Sequence, residues 1–221
     1  MRALNDMRAT LETTAAVTMA LLGWFALALQ LGLIVANATD SLTAVFNFFS
    51  YFTILTNILV AAVLTVPLLG SDAARLASAS VRSATAVYIA IVGSVYVLVL
   101  QDLWNPQGWQ ALADVLLHKV VPVLYIAYWC AFVQKTSLGW RDIPRWQIYP
   151  LLYFVYAVAR GWLTGWYAYP FIDVSQLGFA RVLLNAAGLV AVFVLSSALV
   201  VGIGRAVAHQ RRSRLLADTI G

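Results

Sequence analysis

Three side chains in apolar stretches of this sequence offer the components of acyl-transfer chemistry: the Thr53 hydroxyl, the His118 imidazole and the Asp114 carboxylate. A threonine hydroxyl is a weak nucleophile that needs a base within hydrogen-bond reach, and histidine is the most frequent such base. Asp114 precedes His118 by four residues, so on a helix it lies one turn away and can orient the ring as in a catalytic triad. We therefore predict Thr53 as nucleophile, His118 as base and Asp114 as orienter.

Other polar side chains could stabilise an oxyanion or bind a substrate. They are Ser50, Asn57, Arg160, Tyr169 and Asp173. Thr56 is an alternative nucleophile, because it lies within about 60° of Thr53 around a helix. With one cysteine and two histidines, the sequence predicts neither a metal site nor a cofactor.

Each polar residue also has a structural explanation. Serine and threonine hydroxyls in membrane helices often bond the carbonyl four residues earlier or a neighbouring helix. Arg160 could extend to the membrane interface or pair with Asp173 or Asp102. A functional interpretation therefore depends on several polar groups meeting at one depth.

The elements that position these residues are predicted to be membrane helices. Apolar residues make up 62% of the 221 residues and charged residues only 10%, whereas a soluble domain is close to half apolar and a quarter charged. Six apolar stretches approach or exceed the roughly 17–25 residues of a helical span, and continuous runs of this kind form helices in lipid. They are residues 15–36, 45–68, 84–103, 115–133, 148–166 and 179–203. The sequence thus predicts an all-α polytopic integral membrane protein.

Basic residues indicate the orientation, because short cytoplasmic loops carry an excess of Lys and Arg. Such residues occur in the N-terminal segment, in every second loop and in the C-terminal tail, and they are Arg2, Arg8, Arg75, Arg82, Lys135, Arg141, Arg145, Arg205, Arg211, Arg212 and Arg214. Both termini are therefore predicted in the cytoplasm. Residues 1–14 form the N-terminal segment, 15–204 the six-helix transmembrane domain and 205–221 a basic tail explained by topology and anionic lipid. No nucleic-acid partner is predicted.

This orientation predicts a shared polar pocket. Thr53, His118 and Arg160, on the second, fourth and fifth spans, fall about 6–12 Å below the outer interface at a rise of about 1.5 Å per residue. The pocket would open outward or sideways to the outer leaflet.

Three segments resemble a known family. Residues 47–57 (NFFSYFTILTN) resemble the second-helix motif of the bacterial predicted six-transmembrane proteins, distant relatives of the androgen-induced-gene and androgen-dependent TFPI-regulating proteins of animals. Residues 165–173 (GWYAYPFID), with Arg181 after them, are similar to the family's G-x-x-x-Y-P-F-[LI]-[DE] signature and its arginine. The start of the fourth span, His118 to Pro122, matches a third element, with the proline one residue closer to the histidine than in the family.

The animal members are intramembrane threonine hydrolases that cleave fatty acid esters of hydroxy fatty acids. The resemblance implies that Thr53 is the nucleophile and His118 the base. It also implies a membrane lipid or fatty-acyl ester as substrate and the bacterial plasma (inner) membrane as location. Two alternatives stay open: a non-catalytic lipid- or small-solute-binding protein or transporter, and a structural subunit whose polar groups hold helices together.

Overall fold

The computed structural model describes residues 2–70 and 78–220, with side chains as far as residue 209. Within these ranges every regular element is helical, as the composition predicts. Arg75 lies outside this part of the chain, as do the side chains of Arg211, Arg212 and Arg214.

The α-helices are followed or interrupted by short stretches of tighter or wider pitch. The α-helices are α1 Arg2–Ala36, α2 Ser41–Phe48, α3 Phe52–Thr65, α4 Ala79–Val95, α5 Gly108–Val115, α6 Val121–Phe132, α7 Asp142–Trp146, α8 Ile148–Thr164 and α9 Val174–Ile220. The 3₁₀ turns are Val66–Leu68, Gln101–Leu103 and Pro170–Ile172. The π-helical turns are Tyr96–Leu100, directly after α4, and Leu116–Val120, between α5 and α6.

Several of these helices are long and apolar enough to cross a membrane. Four of them in the described ranges meet that condition: Arg2–Ala36, Ala79–Leu103, Gly108–Phe132 and Val174–His209. A fifth is formed if α2 and the stretch Phe52–Leu68 are one bent span. α8 coincides with the predicted span 148–166, and its 17 residues stand at the lower limit for crossing a bilayer. These apolar helices indicate a membrane-associated protein.

The predicted second span, 45–68, is not one continuous helix. α2 ends at Phe48, and α3 begins at Phe52 with a bend of 67° between them. At the break the Ser50 N–H donates to the Asn47 carbonyl at 2.9 Å, the i→i−3 bond that tightens and ends a last turn. Ser50 therefore lies outside α3, the helix that carries Thr53 and Asn57.

The chain divides into two compact units, Met1–Val133 and Gln134–Gly221. In the first, α1 packs against α3, and α3 and α6 pack against α4. Small side chains allow close approach of α1 and α3: Ala26 and Ala61 are fully buried, and a Cβ added at Gly23 would lie 3.6 Å from that of Ala61. Close packing of small residues is a usual way to join helices in lipid.

A polar cluster joins three helices of the first unit. Arg82 on α4 pairs with Glu12 on α1 at 3.3 Å, and the Tyr128 hydroxyl on α6 donates to the same carboxylate at 3.4 Å. The Trp129 indole N–H donates to the Ser83 hydroxyl at 2.8 Å. The N-terminal half of α1 is thus a helical part of the packed unit.

The second unit contains α7, α8 and α9. Gly165 ends α8 in the left-handed conformation, with φ 73°, and donates its N–H to the Gly161 carbonyl at 2.8 Å. Gly178 has φ 73° and ψ 158° and kinks α9, so the predicted start of the last span at Phe179 coincides with the resumption of helical backbone. Glycine adopts both positive φ values without a Cβ clash.

Candidate functional site

His118 lies in the π-helical turn Leu116–Val120, and Pro122 supplies a reason for the wider pitch. Proline has no N–H, so it cannot bond the His118 carbonyl four residues earlier. The Val121 N–H instead reaches the Leu116 carbonyl five residues back. Such π-turns inside α-helices occur frequently at functional sites. His118 is ten residues beyond the start of α5, about 15 Å along the helix axis.

The position of His118 Nδ1 determines the protonation pattern of its ring. Nδ1 lies 3.0 Å from the Asp114 carbonyl oxygen and 3.1 Å from Asp114 Oδ1. Because a carbonyl oxygen can only accept, Nδ1 carries the hydrogen in this contact, and Nε2 is the basic nitrogen of the neutral ring. This is the tautomer that a histidine general base requires.

Asp114 is buried between His118 and a tyrosine from the preceding helix. The Tyr96 hydroxyl donates to Asp114 Oδ2, and the Tyr96 ring stacks on the His118 ring with centroids 4.1 Å apart. Asp114 Oδ1 has no partner of hydrogen-bond geometry in the described ranges, although Nδ1 is 3.1 Å away, because the single Nδ1 hydrogen goes to the backbone carbonyl. The sequence prediction of Asp114 beside His118 is thus realised in the geometry.

Asn57 joins α3 to the turn that carries His118. Its Nδ2 donates to the Thr53 carbonyl at 2.9 Å and to the Leu117 carbonyl at 3.2 Å. These two carbonyl oxygens therefore lie within about 6 Å of each other. Both amide hydrogens of Asn57 are used in these two bonds, so none is left for an oxyanion. Contrary to its prediction as an oxyanion donor, Asn57 makes a structural link between the two helices.

The two candidate nucleophiles differ in accessibility. Thr53 lies in the first turn of α3 and retains 7% exposure, whereas Thr56 is fully buried. A substrate can reach Thr53 more readily, which favours it. The Ser50 hydroxyl donates to the Phe46 carbonyl at 2.6 Å, the i−4 bond expected of a structural serine.

The other predicted residues lie in the second unit, where they shape the connection between α8 and α9. The Arg160 guanidinium lies over the Trp166 ring, 4.3 Å from its centroid, and Tyr169 stacks on Phe171 at 5.2 Å. Asp173 Oδ1 accepts N–H bonds in the first turn of α9, from Ser175 at 2.9 Å and Gln176 at 3.2 Å. Asp173 is thus a helix cap, and the predicted signature segment 165–173 serves here as a structured turn.

Two residues near His118 were missed in the sequence. Tyr96 lies in an apolar stretch of the sequence, and a buried tyrosine hydroxyl needs a partner. Lys119 is a charged residue within the span Gly108–Phe132, and its Nζ lies 5.7 Å from the Tyr96 ring centroid. A lysine inside an apolar run is costly enough to have signalled function.

Comparison with known proteins leaves the chain unassigned: no protein-family model, no curated protein and no solved structure matches it. The family resemblance of segments 47–57 and 165–173 remains a prediction. Within the described ranges no group of three or more His, Cys, Asp or Glu side chains comes together as a metal site.

Chemically, the first unit presents a basic imidazole nitrogen whose ring is held by the Asp114 backbone carbonyl and a stacked phenol, with the Asp114 carboxylate 3.1 Å from Nδ1. Asn57 holds the first turn of α3 to the neighbouring π-turn. An orienting carboxylate, an imidazole and a hydroxyl are the three components of nucleophilic acyl transfer.

Proposed function

We propose that this chain is an intramembrane hydrolase of lipid fatty-acyl esters, with Thr53 as nucleophile and His118 as base. The observation that carries the proposal is the His118–Asp114 contact, in which Nδ1 is held by the Asp114 residue and Nε2 is left as the basic nitrogen. Asn57 supports it by holding the helix of Thr53 against the π-turn of His118.

The proposed reaction has two steps. The Thr53 Oγ1 attacks the ester carbonyl while His118 Nε2 takes its proton, and the alcohol leaves with that proton, which produces an acyl-threonine. Water then attacks the acyl group, again giving a proton to Nε2, and the fatty acid leaves as Thr53 recovers its hydrogen. Asp114 keeps the ring in the required tautomer and stabilises the positive charge that forms on it.

We also propose a six-span topology in the bacterial plasma membrane, with α2 and α3 as one broken span, α8 as the fifth span, and both termini in the cytoplasm. The basic residues at the predicted cytoplasmic ends support this orientation. Cysteine-accessibility labelling of single-cysteine variants, made in Cys130→Ala, would test it: labels at positions 5 and 206 must react only from the cytoplasmic side.

A fluorophosphonate probe on the purified full-length chain tests the hydrolase. Thr53→Ala should abolish labelling, and Thr53→Ser should retain it. His118→Ala should lower the labelling rate by roughly 10²–10⁴-fold, the usual share of a general base. Asp114→Asn, which keeps the size of the side chain but removes its charge, should lower it by roughly a hundredfold or more.

Thr56→Ala is the matched control, since it removes a neighbouring hydroxyl on the same helix. Labelling that persists in Thr53→Ala and disappears in Thr56→Ala would transfer the nucleophile to Thr56. Labelling that survives both changes would refute the threonine mechanism.

A solute-binding protein or transporter is the second candidate, favoured by the broken second span. Secondary transporters often bind substrates where membrane helices are interrupted, and α2 and α3 meet at a 67° bend close to Thr53. Ion or solute flux in proteoliposomes that is equal in wild type and Thr53→Ala, without ester cleavage, would select this candidate.

A further inference from the structure

Lys119 lies in the middle of an exposed apolar stripe. Leu112, Val115 and Val123 precede and follow it at helical spacing, and they are 38%, 40% and 68% exposed. The Lys119 side chain is also exposed. The helix Gly108–Phe132 is a candidate membrane span; in a bilayer this face would contact acyl chains of lipid, and the lysine would place a cation among them.

No carboxylate of the described residues neutralises this cation. Lys119 takes part in neither of the ion pairs Arg82–Glu12 and His118–Asp114, and Asp114 Oδ2 is engaged by the Tyr96 hydroxyl. What Lys119 has is the face of the Tyr96 ring, 5.7 Å from Nζ, a cation–π contact worth roughly 0.5–2 kcal/mol. That is far less than full neutralisation of a charge in hydrocarbon, so an anion from outside the chain would stabilise the site.

We infer that Lys119 and the stripe Leu112–Val115–Val123 bind a long-chain fatty acid, with its carboxylate on Nζ and its alkyl chain along the stripe. A charge-assisted bond to the ammonium satisfies the head, and the exposed apolar side chains bury the tail. Both halves of the ligand thus correspond to features of one helix face.

The depth of Lys119 selects a fatty acid rather than a phospholipid. Lys119 is eleven residues beyond the start of α5, so with the membrane interface at Gly108 it lies about 16 Å along the helix axis from that interface, and a lysine side chain recovers only part of that distance by extending outward. The phosphate of a phospholipid is held at the interface by its headgroup, whereas a single-chain acid can move inward to meet the amine.

Binding of photoreactive palmitate to the full-length protein in phosphatidylcholine nanodiscs tests the inference. Wild type should be labelled within the segment 112–123. Lys119→Gln should weaken palmitate binding by about tenfold or more, and Lys119→Arg should stay within about threefold of wild type. Arg181→Gln, which removes an exposed cation from a helix of the other unit, should leave binding unchanged.

Photoreactive hexadecanol has the same chain without the carboxylate. It therefore separates the contribution of the charge to binding from the contribution of the apolar surface. It should bind weakly and equally to wild type and Lys119→Gln. Equal loss of both probes in Lys119→Gln, or unchanged palmitate affinity in that variant, would overturn the inference. Competition by phosphatidylglycerol at concentrations well below those of palmitate would also overturn it, in favour of a phospholipid headgroup.

The inference does not depend on ester cleavage. Thr53→Ala should keep palmitate binding at the wild-type level while it loses fluorophosphonate labelling. A chain that binds palmitate but is never labelled by the fluorophosphonate would refute the hydrolase and leave the fatty-acid site intact. A chain that is labelled but does not bind palmitate would refute the fatty-acid site and leave the hydrolase intact.

Discussion

The ring of Tyr96 lies parallel to the imidazole of His118, with centroids 4.1 Å apart and planes inclined by 14°. The same tyrosine donates its hydroxyl hydrogen to Asp114, which in turn contacts His118 Nδ1. One residue thus restrains the base through its ring and the orienting carboxylate through its hydroxyl.

We predict that Tyr96→Phe lowers the rate of fluorophosphonate labelling about tenfold, because one hydrogen bond to a charged group is lost. Tyr96→Leu, which also removes the stacked ring, should lower the rate further. The melting temperature of Tyr96→Phe should fall by a few degrees, because the buried Asp114 carboxylate loses its donor. Equal rates for wild type and both variants would show that the stack has no part in orienting His118.

Gly93 allows α4 to approach the His118 turn closely. A Cβ at this position would lie 3.2 Å from the His118 carbonyl oxygen and 3.2 Å from Pro122 Cβ. We predict that Gly93→Leu destabilises the protein by about 1–3 kcal/mol through overpacking and reduces labelling by displacing His118. Gly32→Ala is the control, since nothing lies within 4 Å of its added methyl group. Thermal unfolding in detergent measures both, and a Gly93→Leu protein as stable as the control would contradict the close approach.

Gly161 is covered by the Tyr167 ring. A Cβ at Gly161 would stand 2.1 Å from Tyr167 Cε1, so Gly161→Ala must displace that ring and should destabilise the turn after α8 by about 1–3 kcal/mol. In Tyr167→Ala the same glycine change should have little further effect, because the obstructing ring is gone. A double-mutant cycle of unfolding free energies measures this coupling, and additive losses would argue against the contact.

Asp40 makes the short helix α2 sensitive to acid. The Thr43 hydroxyl and the Thr43 and Leu42 amides bond to its carboxylate, which holds the Asp40 pKa below its usual range. A lowered folded-state pKa stabilises the cap above the ordinary Asp pKa of about 4, and this stabilisation is lost as the pH falls through the lowered value.

Amide hydrogen exchange of α2, expressed relative to Asp40→Asn, should therefore show protection in wild type that declines below about pH 4. The asparagine variant keeps a cap without a titrating group. A ratio of wild-type to variant exchange rates that does not change with pH would show that Asp40 is not the cause of the acid sensitivity of α2.

The apolar length of each stretch was enough to predict several helix limits. The predicted ends at residues 36 and 103 and the start at 148 coincide with helix limits in the structure, because a span must cover the hydrocarbon thickness. The pairing of Asp114 with His118 was also predictable, since it requires only a separation of one helical turn.

The break between α2 and α3 and the role of Tyr96 could not be predicted in the same way. Residues 49–51 are Phe-Ser-Tyr, which contain neither Gly nor Pro, so no residue there ends a helix by its own conformational restriction. The stack of Tyr96 on His118 joins residues from different helices, and it depends on the wider pitch of two π-turns. Neither a period of 3.6 residues nor a motif search is sensitive to such local changes in pitch.

The π-turn at Leu116–Val120 has a consequence for how the span could have arisen and changed. A π-turn holds about one residue more than an α-turn, so it behaves as a single-residue insertion whose effect ends within the helix. Deleting the extra residue would return the turn to α-helical pitch, and α6 would keep its orientation. The turn can therefore gain or lose one residue in evolution without a repacked second half of the helix.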